Sequence, residues 1–148
     1  MIGRAPVILL AAALLVAGPA LAETPTEAVM AFYDQIGLEL DPAARERFVD
    51  PARSVLDGSD RLRKAGEGDC LDPHMPQDNV GTDIDEIRKT LKSLETVKDD
   101  EAKVTIAFVA AGAPHRLQWQ LRKVANSWKV SDILSATGEW ALSQYHCE

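Results

Sequence analysis

The chain has 148 residues, and its 23 Asp and Glu residues outnumber its 16 Lys and Arg residues, which gives a net charge of −7. This length suits one domain. The acidic balance argues against nucleic acid as a partner, because nucleic-acid binding depends mainly on Lys and Arg residues that neutralise phosphates.

Residues 1–22 have the pattern of a secretory signal peptide. Met1–Arg4 carries one positive charge, Val7–Ala17 is an uninterrupted apolar run, and Ala20-Leu21-Ala22 is a small-x-small cleavage site. The apolar run is too short to span a bilayer, which takes about 20 helical residues. We therefore expect cleavage after Ala22, a single domain over residues 23–148 that is periplasmic or secreted, and no stable membrane insertion after cleavage.

Helix-start signals dominate the next part of the chain. Thr24-Pro25-Thr26-Glu27 combines an N-cap, a first-turn proline and a capping-box partner, and Phe32 and Tyr33 follow at helical spacing. Asp41-Pro42 and Asp50-Pro51 repeat the cap-and-proline signal. The pattern predicts one amphipathic helix, followed by two short helices rather than one long one between Asp41 and Lys64.

The stretch from Gly66 to Asp83 has a loop composition and contains the motif residues Asp72, Gln77 and Asp78. Its carboxylates and single imidazole could hold a cation, but their spacing fits neither an EF-hand nor a zinc site. We expect no metal and no cofactor here. Asp72 and Asp78 are expected to cap turns through nearby backbone amides.

The predicted export signal bears on the state of the two cysteines, Cys70 and Cys147. Two thiols that enter an oxidising compartment usually pair, and no redox spacing such as C-x-x-C is present. We expect a structural disulfide that ties the loop to the tail.

The second half of the chain predicts an antiparallel sheet. Alternating apolar and polar residues indicate strands at Leu91–Lys98, Ala102–Ala110, His115–Val124 and Ser127–Leu134, and Glu139–Tyr145 is predicted as a short helix. Helices followed by a meander predict an α+β fold, with N-terminal helices packed on one face of a strongly curved four-stranded antiparallel sheet. Such a sheet leaves an open mouth in which pockets form.

Four aromatic residues are candidates to line that mouth, and one acidic residue lies among them in the pattern. The aromatics are Phe32, Tyr33, Trp119 and Trp128. Strict alternation from Trp128 places Asp132 on the same face, where a carboxylate is paired, protonated or a catalytic base. A bulge in this strand would instead turn Asp132 outward and its neighbour inward.

Four sequence features occur together in this chain: Phe32-Tyr33, Leu71-Asp72-Pro73, Gln77-Asp78 and a strand that ends in Trp128-Lys129-Val130-Ser131-Asp132-Ile133. In these features the chain resembles a family of short exported bacterial domains of unknown function in the nuclear transport factor two-like, or cystatin-like, superfamily. The resemblance implies a cone-shaped α+β fold and carries no established activity. Ketosteroid isomerase, in the same superfamily, uses a pocket carboxylate with an acidic donor, a pairing that would fall to Asp132 and Tyr33 here.

Three functions remain open at this point. The first is a non-enzymatic module that binds a small ligand or a protein partner. The second is an acid–base enzyme that uses Asp132 with Tyr33. The third is an immunity or inhibitor protein against an exported toxin or hydrolase. Because much of the acid is gathered between Asp69 and Glu101, we expect partner contacts there first.

Overall fold

The computed structural model describes residues 22–80 and 83–148, so the predicted signal peptide, apart from Ala22, lies outside the described residues. Helices precede an antiparallel sheet, as predicted for an α+β fold. No helix in these two ranges is long and apolar enough to cross a membrane. The helices are α1 (Pro25–Asp34), α2 (Ala52–Lys64) and α3 (Ile84–Thr90), with 3-10 turns at Leu38–Leu40, Pro42–Arg47, Met75–Gln77 and Leu142–Gln144, and the strands are β1 (Lys92–Lys98), β2 (Glu101–Ala110), β3 (Ala113–Val124), β4 (Ser127–Ser135) and β5 (Trp140–Ala141).

The predicted caps set the helix starts. The Thr24 hydroxyl accepts the N–H of Glu27 at 3.1 Å, and the Glu27 carboxylate accepts the N–H of Thr24 at 2.7 Å, so α1 begins with a complete capping box. Asp41 accepts the N–H of Ala43 at 2.9 Å and begins a 3-10 helix, whereas α2 follows Asp50-Pro51. The starts predicted at Thr24 and Asp41 are confirmed, the second for a 3-10 helix, whereas α2 begins one residue later than its signal predicts, with Pro51 at the N-cap position.

The strands form an antiparallel meander in the order β1-β2-β3-β4-β5. Each of the four predicted strands is present within two residues of its expected ends. The predicted total of four is wrong, because Trp140–Ala141 pairs with Leu134–Ser135 as a fifth strand. The helix predicted over residues 139–145 is reduced to the 3-10 turn that follows. Two paired residues are too few for a periodic sequence pattern.

The core lies between the helices and one face of the sheet. Val104 and Ile106 on β2 and Leu117 and Trp119 on β3 are fully buried, whereas the residues between them are at least partly exposed. Phe32 on α1 packs against this face. The predicted alternation is confirmed on both strands, and the opposite face of the sheet is left open.

Two sets of polar contacts, one around Arg45 and one around Glu95, join peripheral elements of the fold. Arg45, nearly fully covered, contacts Asp60 at 2.6 Å and Asp57 at 3.3 Å, which joins the 3-10 turn to α2. At the other edge, the Glu95 carboxylate accepts the N–H and the hydroxyl of Thr26, at 2.8 and 2.6 Å. This contact holds β1 to the start of α1, although every residue of β1 is exposed.

Candidate functional site

The aromatic residues predicted to line an open mouth lie in the core. Phe32 and Trp119 are 0% exposed, Tyr33 is 2% exposed and Trp128 is 9% exposed. The Phe32 ring stacks on Trp119 with centroids 5.0 Å apart, and Tyr33 meets Trp119 edge-on at 6.0 Å. This corrects the expected mouth, because these side chains fill the space that a ligand would occupy.

Trp128 is the one of these four that reaches a surface groove. It lies beneath Lys123, whose ammonium is 5.5 Å from the ring centroid. It also forms part of the wall of a shallow groove of about 300 Å³ beside Glu46 and Lys129. The groove is small for an organic ligand, since such pockets usually measure about 300–1,000 Å³ and enclose most of the ligand.

Asp132 does not face the core. A bulge shifts the pairing of β4, so that Ile133 lies opposite Trp119 and Asp132 lies opposite Gln120. Ile133 is fully buried on the core face. Neighbouring strand residues point to opposite faces, so Asp132 points away from Tyr33. The bulge therefore turns Asp132 to the other face of the sheet, where it stays largely covered at 8% exposed, and Asp132 and Tyr33 do not form the predicted acid–base pair.

The hydrogen bonds of both residues fit structural roles. The Asp132 carboxylate accepts the N–H of Ser143 at 2.9 Å and its hydroxyl at 2.6 Å, which holds the 3-10 turn after β5 against β4. The Tyr33 hydroxyl accepts the indole N–H of Trp119 at 3.3 Å. Burial raises the pKa of Tyr33 far above its usual value near 10, so this hydroxyl stays protonated.

The predicted disulfide between Cys70 and Cys147 is confirmed, and it links positions 77 residues apart. The tail it anchors lies directly on α2. At Gly58 a side-chain carbon would collide with the backbone carbonyl of Cys147. The absence of a side chain at Gly58 therefore lets the tail approach the helix backbone.

The acidic residues of the loop, considered above as a possible cation site, each contact a different part of the protein. Asp69 lies 3.6 Å from Arg63, and Asp72 accepts the hydroxyl of Tyr145 at 3.3 Å, while Asp78 is buried. In residues 22–80 and 83–148, no group of three or more His, Cys, Asp and Glu residues could hold a metal ion. The expectation that Asp72 and Asp78 cap local turns is wrong, because tertiary contacts take their carboxylates instead.

Asp78 joins the loop to the sheet. One carboxylate oxygen lies 2.8 Å from Nδ1 of His115, and the other accepts the indole N–H of Trp140 at 2.9 Å. A Cβ at Gly138 would lie 2.8 Å from Asp78 Oδ1, so the glycine makes room for this contact. His115 is largely covered and stacks on Phe108 with centroids 5.5 Å apart.

A carboxylate that orients an imidazole is also part of a catalytic triad, which needs a nucleophile on the other ring nitrogen. No hydrogen bond joins His115 to a serine, threonine or cysteine in the described part of the chain. Gln77, beside Asp78, is fully buried, and neither of its amide atoms finds a partner among the described residues. The arrangement is a buried polar junction rather than a triad.

Glu39 is a buried acid that no pattern in the sequence singles out. It lies in the 3-10 turn between Leu38 and Leu40 and is 0% exposed. Neither carboxylate oxygen has a hydrogen-bond partner among the described residues. Burial raises the pKa of Glu39 to about 7. A Leu-Glu-Leu sequence in a short turn carries no signal that separates this position from an exposed one.

The open face of β1, β2 and β3, which we call the outer face, is basic in an otherwise acidic protein. It bears five exposed cations and one acid, Glu101, and none of the cations forms an ion pair with any described residue. The side chains form four rows across the strands: Lys92–Ala107–Arg116, Leu94–Thr105–Gln118, Thr96–Lys103–Gln120 and Lys98–Glu101–Arg122.

A groove of about 600 Å³ crosses the first two rows of the outer face. Lys92 and Arg116 flank it on either side of the small residue Ala107. Leu94, which is 68% exposed, lies in the neighbouring row. The basic outer face has no local signal in the sequence, because its cations come from three strands and alternate with residues of the opposite face.

Comparisons with known proteins give a fold likeness without a family. No family model matches the chain, and no curated protein matches it. One chain of the type VI effector–immunity complex Tae3–Tai3 from Ralstonia pickettii aligns with a TM-score of 0.50 and 18% identity, over 83% of this chain and 98% of that chain. A phospholipid-binding protein from Ralstonia solanacearum, solved with a phospholipid, gives a TM-score of 0.35 and 17% identity, over 76% of this chain and 57% of that chain. The first likeness supports the α+β fold alone, and the second is too weak to support an argument.

Proposed function

We propose that this protein is an exported, non-enzymatic module that binds a protein partner, and that it acts as an immunity or inhibitor protein against an exported toxin or hydrolase. The observation that carries the proposal is the filled interior. Phe32, Tyr33 and Trp119 occupy the space where a small ligand would bind in a fold of this kind. Binding is therefore assigned to an outer surface.

The acid–base alternative lacks the geometry that it requires, because its two residues do not face one another. Asp132 is held by Ser143 on the side of β4 away from Tyr33. Tyr33 is fully enclosed and hydrogen-bonded to Trp119, so it has no route to a substrate. An immunity or inhibitor protein needs neither a pocket nor a catalytic pair, only a stable scaffold with an exposed recognition surface.

Two features support export. Residues 1–22 have the signal-peptide pattern, and the Cys70–Cys147 disulfide suits an oxidising compartment. We further propose that the chain belongs to the exported, nuclear transport factor two-like family that its motifs resemble. The succession of helices and an antiparallel meander supports this assignment. Related exported chains that keep Asp72 with Gln77-Asp78 at the same spacing would strengthen it, and their absence would weaken it.

A protection assay tests the proposed function. An exported toxin or hydrolase encoded beside this gene is directed to the periplasm of a test bacterium, with this chain co-expressed. We expect growth to be rescued by the full chain. The matched control lacks residues 2–22 and remains in the cytoplasm, so it should not rescue growth.

Two measurements on the purified proteins complete the test. Calorimetry should show saturable binding to the toxin, and native mass spectrometry should give the mass of the protein alone. An isolated gene with no exported toxin beside it, or a toxin that neither binds nor is neutralised, would count against the immunity function. A co-purifying lipid or metabolite would instead favour a small-ligand function.

A further inference from the structure

We propose that the outer face of the sheet receives the partner, and that the partner presents carboxylate side chains to Lys92 and Arg116. This inference rests on the proposed function and adds the location of the surface and the chemistry of its partner. It follows from the unpaired cations, the groove between them and the register of the three strands.

Charge distribution singles out this face. The whole chain carries −7, yet the outer face gathers Lys92, Lys98, Lys103, Arg116 and Arg122 against Glu101 alone. Each exposed charge contributes little by itself, typically below about 1 kcal/mol per pair. Several cations on one face act together by steering an acidic partner and disfavouring a basic one. The rest of the chain has a net negative charge, which disfavours docking of an acidic partner elsewhere on the protein.

The register defines a footprint. Lys92 on β1 and Arg116 on β3 flank Ala107 on β2, and adjacent strands lie about 4.8 Å apart. The backbones at Lys92 and Arg116 are therefore about 10 Å apart, with the small side chain of Ala107 between the two cationic side chains. One or two carboxylates fit between such cations. Leu94 in the next row provides an apolar contact, so the footprint suits an acidic segment with a neighbouring apolar residue.

Other occupants fit the outer face less well. Two copies of this chain would bring like-charged faces together in a two-fold dimer, which costs rather than gains energy. A membrane surface calls for several apolar or aromatic side chains that insert among the lipids, and Leu94 is the single large apolar side chain in the four rows. Single-stranded nucleic acid uses aromatic stacking platforms, and these rows contain no aromatic residue.

A displayed library of random 12-residue peptides is the probe for this surface. The wild-type protein, with its disulfide intact, should enrich peptides that combine Asp or Glu with an apolar residue. Anisotropy titrations with the synthesised peptides should then show at least tenfold weaker binding by K92E/R116E. The affinity of the wild-type protein should fall several-fold between about 50 and 500 mM salt.

The matched control is R61E/K64E, which makes the same charge change at two exposed residues of α2. It should bind the peptides within twofold of wild type, and thermal unfolding should show both double variants to be folded. Failure to enrich acidic peptides, or equal losses in both variants, overturns the proposal. So does a dimer that K92E/R116E abolishes, or tighter binding of phosphatidylglycerol vesicles through the same residues.

The protection assay separates this proposal from the proposed function. If the wild-type chain and K92E/R116E protect equally, the immunity function stands and the outer face is the wrong surface. If the wild-type chain neither binds nor neutralises the toxin, the immunity function fails, and the peptide titrations still decide the chemistry of the face.

Discussion

Replacing Glu39 with Gln should make the protein more stable in a pH-dependent way. Glu39 is fully buried without a partner among the described residues, and its pKa is raised from an ordinary value near 4.5 to about 7. Between pH 4.5 and about pH 7, Glu39 is therefore protonated in the folded protein and ionised in the unfolded chain. Gln has nearly the same shape and no charge, so E39Q removes the cost of ionisation in the core.

The size of the effect follows from the shift. A rise in pKa from 4.5 to about 7 corresponds to about 3 kcal/mol of folding free energy. The penalty is absent below about pH 4.5, grows as the pH rises towards 7 and is complete above it. We expect E39Q to match wild type at pH 4 and to be about 3 kcal/mol more stable at pH 8.

Urea unfolding at pH 4, 6 and 8, with the disulfide intact, measures this difference. The control is E46Q in the adjacent 3-10 turn, where the side chain is exposed and the substitution should have little effect at any of the three pH values. A stability difference between E39Q and wild type that is the same at pH 4 and pH 8, or an E39Q less stable than wild type at pH 8, would refute the reasoning.

Three further substitutions test contacts that hold the tail. Replacing both Cys70 and Cys147 with Ser should lower the free energy of unfolding by about 2–4 kcal/mol, and reduction of the wild type should give the same loss in urea titrations. D132A should cost about 1–3 kcal/mol, because the N–H and hydroxyl of Ser143 lose their acceptor, and an unchanged melting temperature would contradict this. G58A should lower the melting temperature although Ala normally favours helices, because its methyl group meets the Cys147 carbonyl, and a rise would count against that contact.

Local patterns predicted the helix starts and the strands well. The capping box of Thr24 and Glu27 involves residues three positions apart, and the alternation on β3 extends through consecutive residues. Such signals are complete within a short window of sequence. The Cys70–Cys147 pairing was also predictable, because the chain has only two cysteines and the predicted export places them in an oxidising compartment.

Features that depend on distant residues were not predictable in this way. The bulge before Asp132 changes which face that residue occupies, and a single shift of register has no sequence signature. Asp78 meets His115, 37 positions away, and the contact also depends on Gly138. The aromatic residues lie on the predicted face of the sheet but pack in the core instead of lining a pocket, because periodicity cannot tell a filled core from a lined pocket.

The separation of the two sheet faces has a consequence for how such a protein can change. Almost all packing of β2 and β3 lies on the helical side, and the disulfide and the Arg45 ion pair belong to the helical and tail elements. Surface substitutions away from such contacts usually alter stability by no more than about 0.5 kcal/mol. The outer face can therefore accumulate new side chains while the fold stays intact. A scaffold of this design could follow a changing partner of the proposed kind through successive substitutions, each with only a small effect on stability.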